Sequence, residues 1–158
     1  LVLFLIHSNW QKVSFVIVLI MCLNAAVAQQ KISWTFSAKK LPGNKYELHM
    51  TATPPVGWHV YSQNTPDGGA LPTTFEFNKN PLVTVPAAKP KENGKIVSYF
   101  DKNFKTNVKY FEGKADFVQT VTLKGKAKTN ITGQVESMIC NDRICMPPTV
   151  EKFTIALQ

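Results

Sequence analysis

The residues best able to do chemistry stand near the C-terminus, in Cys140-Asn141-Asp142-Arg143-Ile144-Cys145-Met146-Pro147-Pro148. Two thiols at this spacing can staple a turn, or they can exchange with a partner through attack of a thiolate on a disulfide sulfur. As a staple the pair is modest: in the loop-entropy account, closing about six residues is worth roughly 2 kcal/mol, against about 4.7 kcal/mol for a loop of about 100 residues. A chain seeking stability would gain more from a bridge between segments far apart in the sequence. The rigid Pro147-Pro148 beside the pair favours an exposed exchange site, but Cys-x4-Cys is not a specific motif and leaves both readings open. It is neither the Cys-x-x-Cys of a thioredoxin-type centre nor the Cys-x-x-Cys-His of haem attachment. Arg143 would favour a thiolate and Asp142 would oppose one, while the plainer reading of both is a solvated turn.

The third cysteine, Cys22, falls in a different kind of segment. The chain opens on Leu1, and Lys12, the mostly apolar Val13 to Leu23, and Ala26-Val27-Ala28 before Gln29 give the positive, apolar and small-residue parts of a secretory leader. The sequence therefore predicts a signal peptide over 1–28, cleaved after Ala28, and a single domain over 29–158 with a real core. The apolar run is short of the roughly 20 residues that a spanning helix needs, so no stable membrane insertion is expected once the leader is gone. Lipid attachment at Cys22 fits poorly, because Met21 stands where a small residue would be expected. Removal of the leader leaves Cys140 and Cys145, an even count in an exported chain, and a Cys140–Cys145 pair in an oxidising compartment is the natural reading.

The elements that must position this pair read as strands. Ile32, Trp34 and Phe36 alternate with polar residues over Lys31 to Ala38, and Tyr46, Leu48 and Met50 do so over Lys45 to Thr53, with Leu41-Pro42-Gly43-Asn44 as the turn between them. Trp58 to Ser62, Thr73 to Phe77, Lys114 to Leu123, Lys128 to Cys140 and Thr149 to Leu157 continue the pattern. Pro66-Asp67-Gly68-Gly69 marks a loop, and Pro81, Pro86 and Pro90 suit edges and loops. The aromatic segment with Tyr99, Phe100, Phe104, Tyr110 and Phe111 is expected to be a long loop or irregular hairpin, its aromatics other than Phe104 mostly core. With about eight strands, frequent turns and no sustained helical period, the fold class is all-β, an immunoglobulin-like antiparallel β-sandwich.

Other chemistry finds little support. The formal net charge of +8 comes from lysines scattered through the second half, which reads as a solvated basic surface and not as a nucleic-acid site. His49 and His59 lie on different strands with no companion at ligand spacing, so neither a metal nor another cofactor is expected. No Ser/His/Asp arrangement, phosphate loop or paired-carboxylate signature is present.

The cysteine segment with its Pro pair and following strand resembles the N-terminal periplasmic domain family of the thiol:disulfide interchange protein DsbD. Gly57-Trp58-His59-Val60-Tyr61 is similar to that family's Gly-aromatic-aromatic-aliphatic-Tyr strand, with His59 replacing an aromatic of the best-known members. Asn103-Phe104 through Lys109-Tyr110-Phe111 is similar to its cap-loop segment. The resemblance implies an immunoglobulin-like sandwich whose Cys140 and Cys145 cycle between dithiol and disulfide, a thiol:disulfide oxidoreductase if redox active. It implies that Cys145 forms the mixed disulfide with partners, that Cys140 resolves it, that Phe104 covers the pair, and that Tyr61 packs near it. The implied partners are a thioredoxin-like donor and periplasmic thiol-disulfide acceptors. The pair has four intervening residues where the best-known members have five, which would alter its potential. With the sequence ending at Gln158, before any membrane carrier or thioredoxin-like domain, the donor is expected on another chain. The competing expectation is a non-catalytic envelope protein-binding module with a structural disulfide.

Overall fold

The structure, a computed structural model, describes residues 30–102 and 104–158. The leader read over 1–28, with Lys12 and Cys22, lies outside the described residues, as does Asn103. The first two strands follow directly from alternation. In β1 (Ser33–Leu41), Trp34, Phe36 and Ala38 turn inward while Ser33, Thr35 and Ser37 are exposed. Strand β2 (Lys45–Thr53) buries Tyr46, Leu48 and Met50 and pairs with β1 from Leu41↔Lys45 to Ser33↔Thr53. In the turn between them Gly43 and Asn44 have φ of 75° and 57°, left-handed values that these two residue types tolerate best.

The site depends more on the interior of the larger sheet. Its spine is β7 (Thr106–Leu123), which pairs with β2 over residues 115–122 and with the short β3 (His59–Tyr61) over 110–112. The strand β6 (Lys91–Asp101) folds back along β7 from Asp101↔Thr106 to Lys91↔Val118. The segment expected to be a loop or irregular hairpin is thus a regular antiparallel hairpin, with one register shift between Asn93 and Lys95. Its strand character was hidden because β6 is largely exposed and shows no two-residue burial period. For the same reason Tyr99 and Phe100, expected in the core, are 41% and 58% exposed, whereas Phe111 is fully buried. At the register shift, a Cβ on Gly94 would lie 2.8 Å from Phe111 Cδ1, so glycine lets the bulge close over that ring.

The smaller sheet has the order β10 (Thr149–Leu157), β8 (Thr129–Ser137), β4 (Thr74–Phe77). Between the sheets lie Leu48, Met50, Phe117 and Val121 from the larger, and Ile131, Phe153, Ile155 and Leu157 from the smaller. Trp34 joins the two layers, its ring 5.8 Å from those of both Phe117 and Phe75. Such aromatic pairs add about 0.5–1.5 kcal/mol each beyond their burial. This is the immunoglobulin-like antiparallel β-sandwich that the sequence predicts, with the very short β5 (Val83–Thr84) and β9 (Ile139–Cys140) added to the expected strands.

One strand expectation needs correction where it matters most. Residues 128–140, read as a single strand, divide: β8 ends at Ser137 in the smaller sheet, and β9 pairs with β3 in the larger one. The chain then turns through Cys145 and the Pro pair and re-enters the smaller sheet as β10. The pattern of alternate burial continues unbroken from β8 through Ile139, so periodicity alone could not reveal the change of sheet. The cysteines sit on this excursion between layers.

Packing of the smaller sheet gives a direct test. Gly133 on β8 stands opposite Phe153 and Phe77, and an added Cβ would meet Glu76 O at 2.3 Å and Phe153 Cζ at 2.5 Å. Backbone cannot yield as a side-chain tip can, so Gly133→Ala is expected to lower stability by about 2–3 kcal/mol. Denaturant unfolding of the oxidised protein measures this directly.

Candidate functional site

The site begins with three residues of β3. His59 and Tyr61, two apart, share one face, and Val60 between them points into the core with no exposure. Strand β9 pairs His59↔Cys140 and Val60↔Ile139. Residues directly opposite across an antiparallel pair have neighbouring side chains on one face, so the side chains of His59 and Cys140 share the face that lines the cleft.

The following turn is closed by a side chain. Asn141 Oδ1 accepts hydrogen bonds from the backbone N–H groups of Arg143 and Ile144, both at 2.9 Å, and the Asn141 N–H donates to Ile144 O at 2.9 Å. Asparagine is suited to such a turn because its short amide can replace a backbone acceptor. Met146 N–H then donates to Ile139 O at 2.9 Å. Cys140 and Cys145 consequently face each other as an isolated bridge with Cα atoms 4.0 Å apart, and their sulfurs are bonded. The two ends are unequal: Cys140 is 2% exposed, and Cys145 is exposed along with its neighbours Asp142, Arg143 and Ile144. Pro147 and Pro148 offer no N–H to extend the pairing, and the chain leaves the larger sheet there.

A cleft of about 280 Å³ opens over the disulfide, lined by His59, Tyr61, Tyr99, Asp101 and Phe104 as well as the cysteine turn. Phe104 comes from the β6–β7 turn and packs, partly buried, on a small cluster of Tyr61, Ala70, Val108 and Cys140. Asp101, at the end of β6, anchors that turn. Its Oδ1 accepts from Phe104 N–H at 3.2 Å and its Oδ2 from the Tyr99 hydroxyl at 2.7 Å. Gly69 lies against the same turn, where an added Cβ would be 3.0 Å from Thr106 Cγ2 and 3.4 Å from Phe104 Cβ.

Polar anchors hold the back of β3. The Thr73 hydroxyl donates to Tyr61 O at 2.6 Å, and Ser62 N–H donates to Lys109 O at 2.9 Å. The Glu92 carboxylate on β6 accepts from Ser62 Oγ, from Gln63 N–H at 2.7 Å and from Asn64 Nδ2 at 3.1 Å. Fully satisfied polar groups of this kind rigidify, since an orphaned one would cost about 1–3 kcal/mol. The segment carrying His59 and Tyr61 is therefore fixed at its C-terminal end.

Electrostatically the cleft favours neutral groups. Burial lowers the pKa of His59 below the usual histidine value, against the opposing pull of Asp142, Asp101 and Glu112. Burial, helped by the Asp101 charge and by Tyr110, raises Tyr61 to about 12. Tyr99 is also raised, first by burial and then by its hydrogen bond to Asp101. His59 Nε2 lies 3.3 Å from Tyr61 Oη, and the imidazole stacks on Tyr110 at 4.0 Å between centroids. Near neutral pH the disulfide is bordered by uncharged rings and phenol hydroxyls together with the carboxylate of Asp101, and Asp142 and Arg143 lie on the turn beside it.

The four residues singled out in the sequence, Cys140, Cys145, Tyr61 and Phe104, line this one cleft. Sequence reasoning missed Tyr99 and Asp101, whose spacing by two on a strand was the available signal. His49 is elsewhere on the larger sheet, its Nδ1 2.8 Å from Asp116 Oδ2. No group of three or more His, Cys, Asp or Glu suited to a metal occurs among the described residues. Nor is any helix among them long and apolar enough to cross a membrane.

Fold and site together define an immunoglobulin-like domain that presents a disulfide, one end buried and one exposed, in an aromatic cleft. Over residues 24–157 the sequence matches the family of the N-terminal region of the thiol:disulfide interchange protein DsbD, and the chain belongs to that family. Among solved structures it is similar to the reduced N-terminal domain of DsbD from Neisseria meningitidis, with 14% identity and a TM-score of 0.48 over 69% of this chain and 75% of that one. It is also similar to the N-terminal periplasmic domain of ScsB from Proteus mirabilis, at 11% identity and a TM-score of 0.47 over 85% of this chain and 48% of that one. No curated protein matches the sequence.

The environment of His59 makes a prediction with a definite sign. An NMR titration of its ring protons should give a midpoint below the ordinary 6.5, and Asp142→Asn should lower it further by removing a charge that favours the imidazolium. A group with a depressed basic pKa leaves the unfolded state holding more protons in the interval between the two values. The His59 contribution to stability therefore falls as pH drops from about 6.5 to the folded-state midpoint, and is constant below it.

Proposed function

We propose that this chain is an exported thiol-disulfide exchange domain that relays reducing equivalents from a thioredoxin-like donor to periplasmic thiol-disulfide proteins. Its family membership supports exchange chemistry, and the leader read over 1–28 supports export. The observation that carries the reading is the unequal exposure of the bonded cysteines, Cys145 open to solvent and Cys140 buried. A structural staple has no need of that asymmetry. An exchange site does, because it directs the incoming thiolate to one sulfur.

In the reducing direction a donor thiolate attacks Cys145 Sγ, the Cys140–Cys145 bond breaks, and Cys140 leaves as a thiolate that takes up a proton. The donor's second thiolate then attacks its own sulfur in the mixed disulfide and releases Cys145. Two electrons have entered the domain and the donor has become a disulfide. Transfer onward runs the same steps in reverse: Cys145 attacks the acceptor disulfide, and Cys140 resolves the product. Phe104 acts as the cover of the buried sulfur, and Tyr61 forms the floor against which it rests.

Several outcomes check this. Cys140→Ser should accumulate a mixed disulfide through Cys145 when the reduced variant meets a disulfide substrate, whereas Cys145→Ser should not, as non-reducing electrophoresis and mass spectrometry would reveal. Phe104→Ala should raise the rate of reduction by dithiothreitol by about tenfold, equivalent to about 1.4 kcal/mol of barrier. A redox titration against glutathione separates exchange from stapling: equilibration near the periplasmic poise supports the relay. A potential below about −300 mV with no exchange would instead make this a binding module with a structural disulfide.

A further inference from the structure

Resting on the exchange reading, we propose that His59 is the general base that deprotonates Cys140 for the resolving step, and the acid that reprotonates it when the step runs backwards. The placement comes from strand register. His59 and Cys140 are direct partners across β3 and β9 and line the same cleft. Cys140 needs such help more than Cys145 does. It is 2% exposed, so solvent base reaches it poorly, and burial in apolar surroundings keeps a thiol protonated.

The other groups around the imidazole are poor bases for this role or are already engaged. Tyr61 and Tyr110 have pKa values raised by burial and remain protonated at neutral pH. Tyr99 donates to Asp101, and Asp101 also accepts the Phe104 N–H. Glu112 on β7, directly opposite His59, is paired with Lys95. Asp142 and Arg143 lie in the exposed part of the turn. Tyr110 stacked at 4.0 Å and Tyr61 Oη at 3.3 Å fix the orientation of the His59 ring. Its lowered pKa means that it meets the thiol as neutral imidazole, the form able to accept a proton.

The step balances without another reactant. With Cys145 joined to an acceptor sulfur, the Cys140 thiol gives its proton to His59. Its thiolate attacks Cys145 Sγ, and the acceptor sulfur departs as a thiolate with the bonding pair. That thiolate takes a proton from solvent, and the imidazolium returns its own to solvent. Cys140 and Cys145 end oxidised, and the acceptor ends reduced.

The test uses the reduced domain and oxidised glutathione, so that partner docking plays no part. Acid-quenched samples are resolved by mass spectrometry to give the lifetime of the Cys145–glutathione mixed disulfide from about pH 6 to about pH 10.5, a range that extends well past the ordinary thiol value. His59→Phe keeps an aromatic ring in the stack and His59→Gln keeps a polar side chain, and circular dichroism checks that each is folded. In both variants the mixed disulfide should live about 100-fold longer at pH 7, the lower range of general-base effects. The difference should shrink as pH rises past the ordinary thiol value of about 8.5 toward the higher value at which the buried Cys140 ionises unaided. Lifetimes equal to the wild type, or a lengthening that is the same at every pH, would overturn the assignment. A wild-type domain that forms no mixed disulfide and never reoxidises would instead overturn the exchange reading on which it rests.

Discussion

The site depends on a very short piece of backbone pairing, the two residue pairs that join β9 to β3. These pairs carry the chain out of the smaller sheet, lay Cys140 beside His59, and leave the next residues to turn back toward β10. Without them Cys140 would continue β8 along the smaller sheet, away from every residue that lines the cleft. A two-residue strand cannot support itself. It holds because Val60 and Ile139, paired across it, are both buried in the core, and because β3 is in turn bonded to β7 over residues 110–112.

The surroundings divide the work between apolar and polar interactions. Phe117, Trp34 and the residues packed on them hold the sheets together but do not reach the disulfide. A separate small cluster of Tyr61, Ala70, Val108 and Cys140 lies under the cleft, with Phe104 against it. The hydrogen bonds of Glu92, Thr73 and Asn141 fix the three chain segments that meet there. Hydrophobic packing sets how the layers stand, and directional bonds set where the functional side chains lie. A reactive pair needs both, since exchange geometry is sensitive to small displacements.

The same cluster gives the cysteines different surroundings. Cys140 sits among rings and hydroxyls that burial holds neutral, with the Asp101 carboxylate in the same cleft, and Cys145 belongs to an exposed turn with charged neighbours. The disulfide thus spans a boundary between a poorly solvated cleft and water. In such a boundary the chemistry of one sulfur can be governed by the protein while the other remains open to a partner.

Much of this was legible in the chain alone. Alternation in Ser33–Leu41, Lys45–Thr53 and Thr149–Leu157 specifies half-buried strands, because a period of two directly records which face meets the core. The cysteine spacing and the adjacent Pro pair marked the chemically interesting turn. The hairpin of β6 and β7 was not legible, because an exposed strand leaves no burial pattern to read. Nor was the crossing from β8 to β9, since both sheets bury alternate residues and the sequence reads the same whichever sheet accepts them. The sequence determined the strands and supplied the thiols, through local patterns of polarity and turn chemistry. Only the tertiary structure decided that Cys140 is the buried one, that His59 is its neighbour, and that Tyr99, Asp101 and Phe104 enclose them, because those facts follow from pairings between segments far apart in the chain.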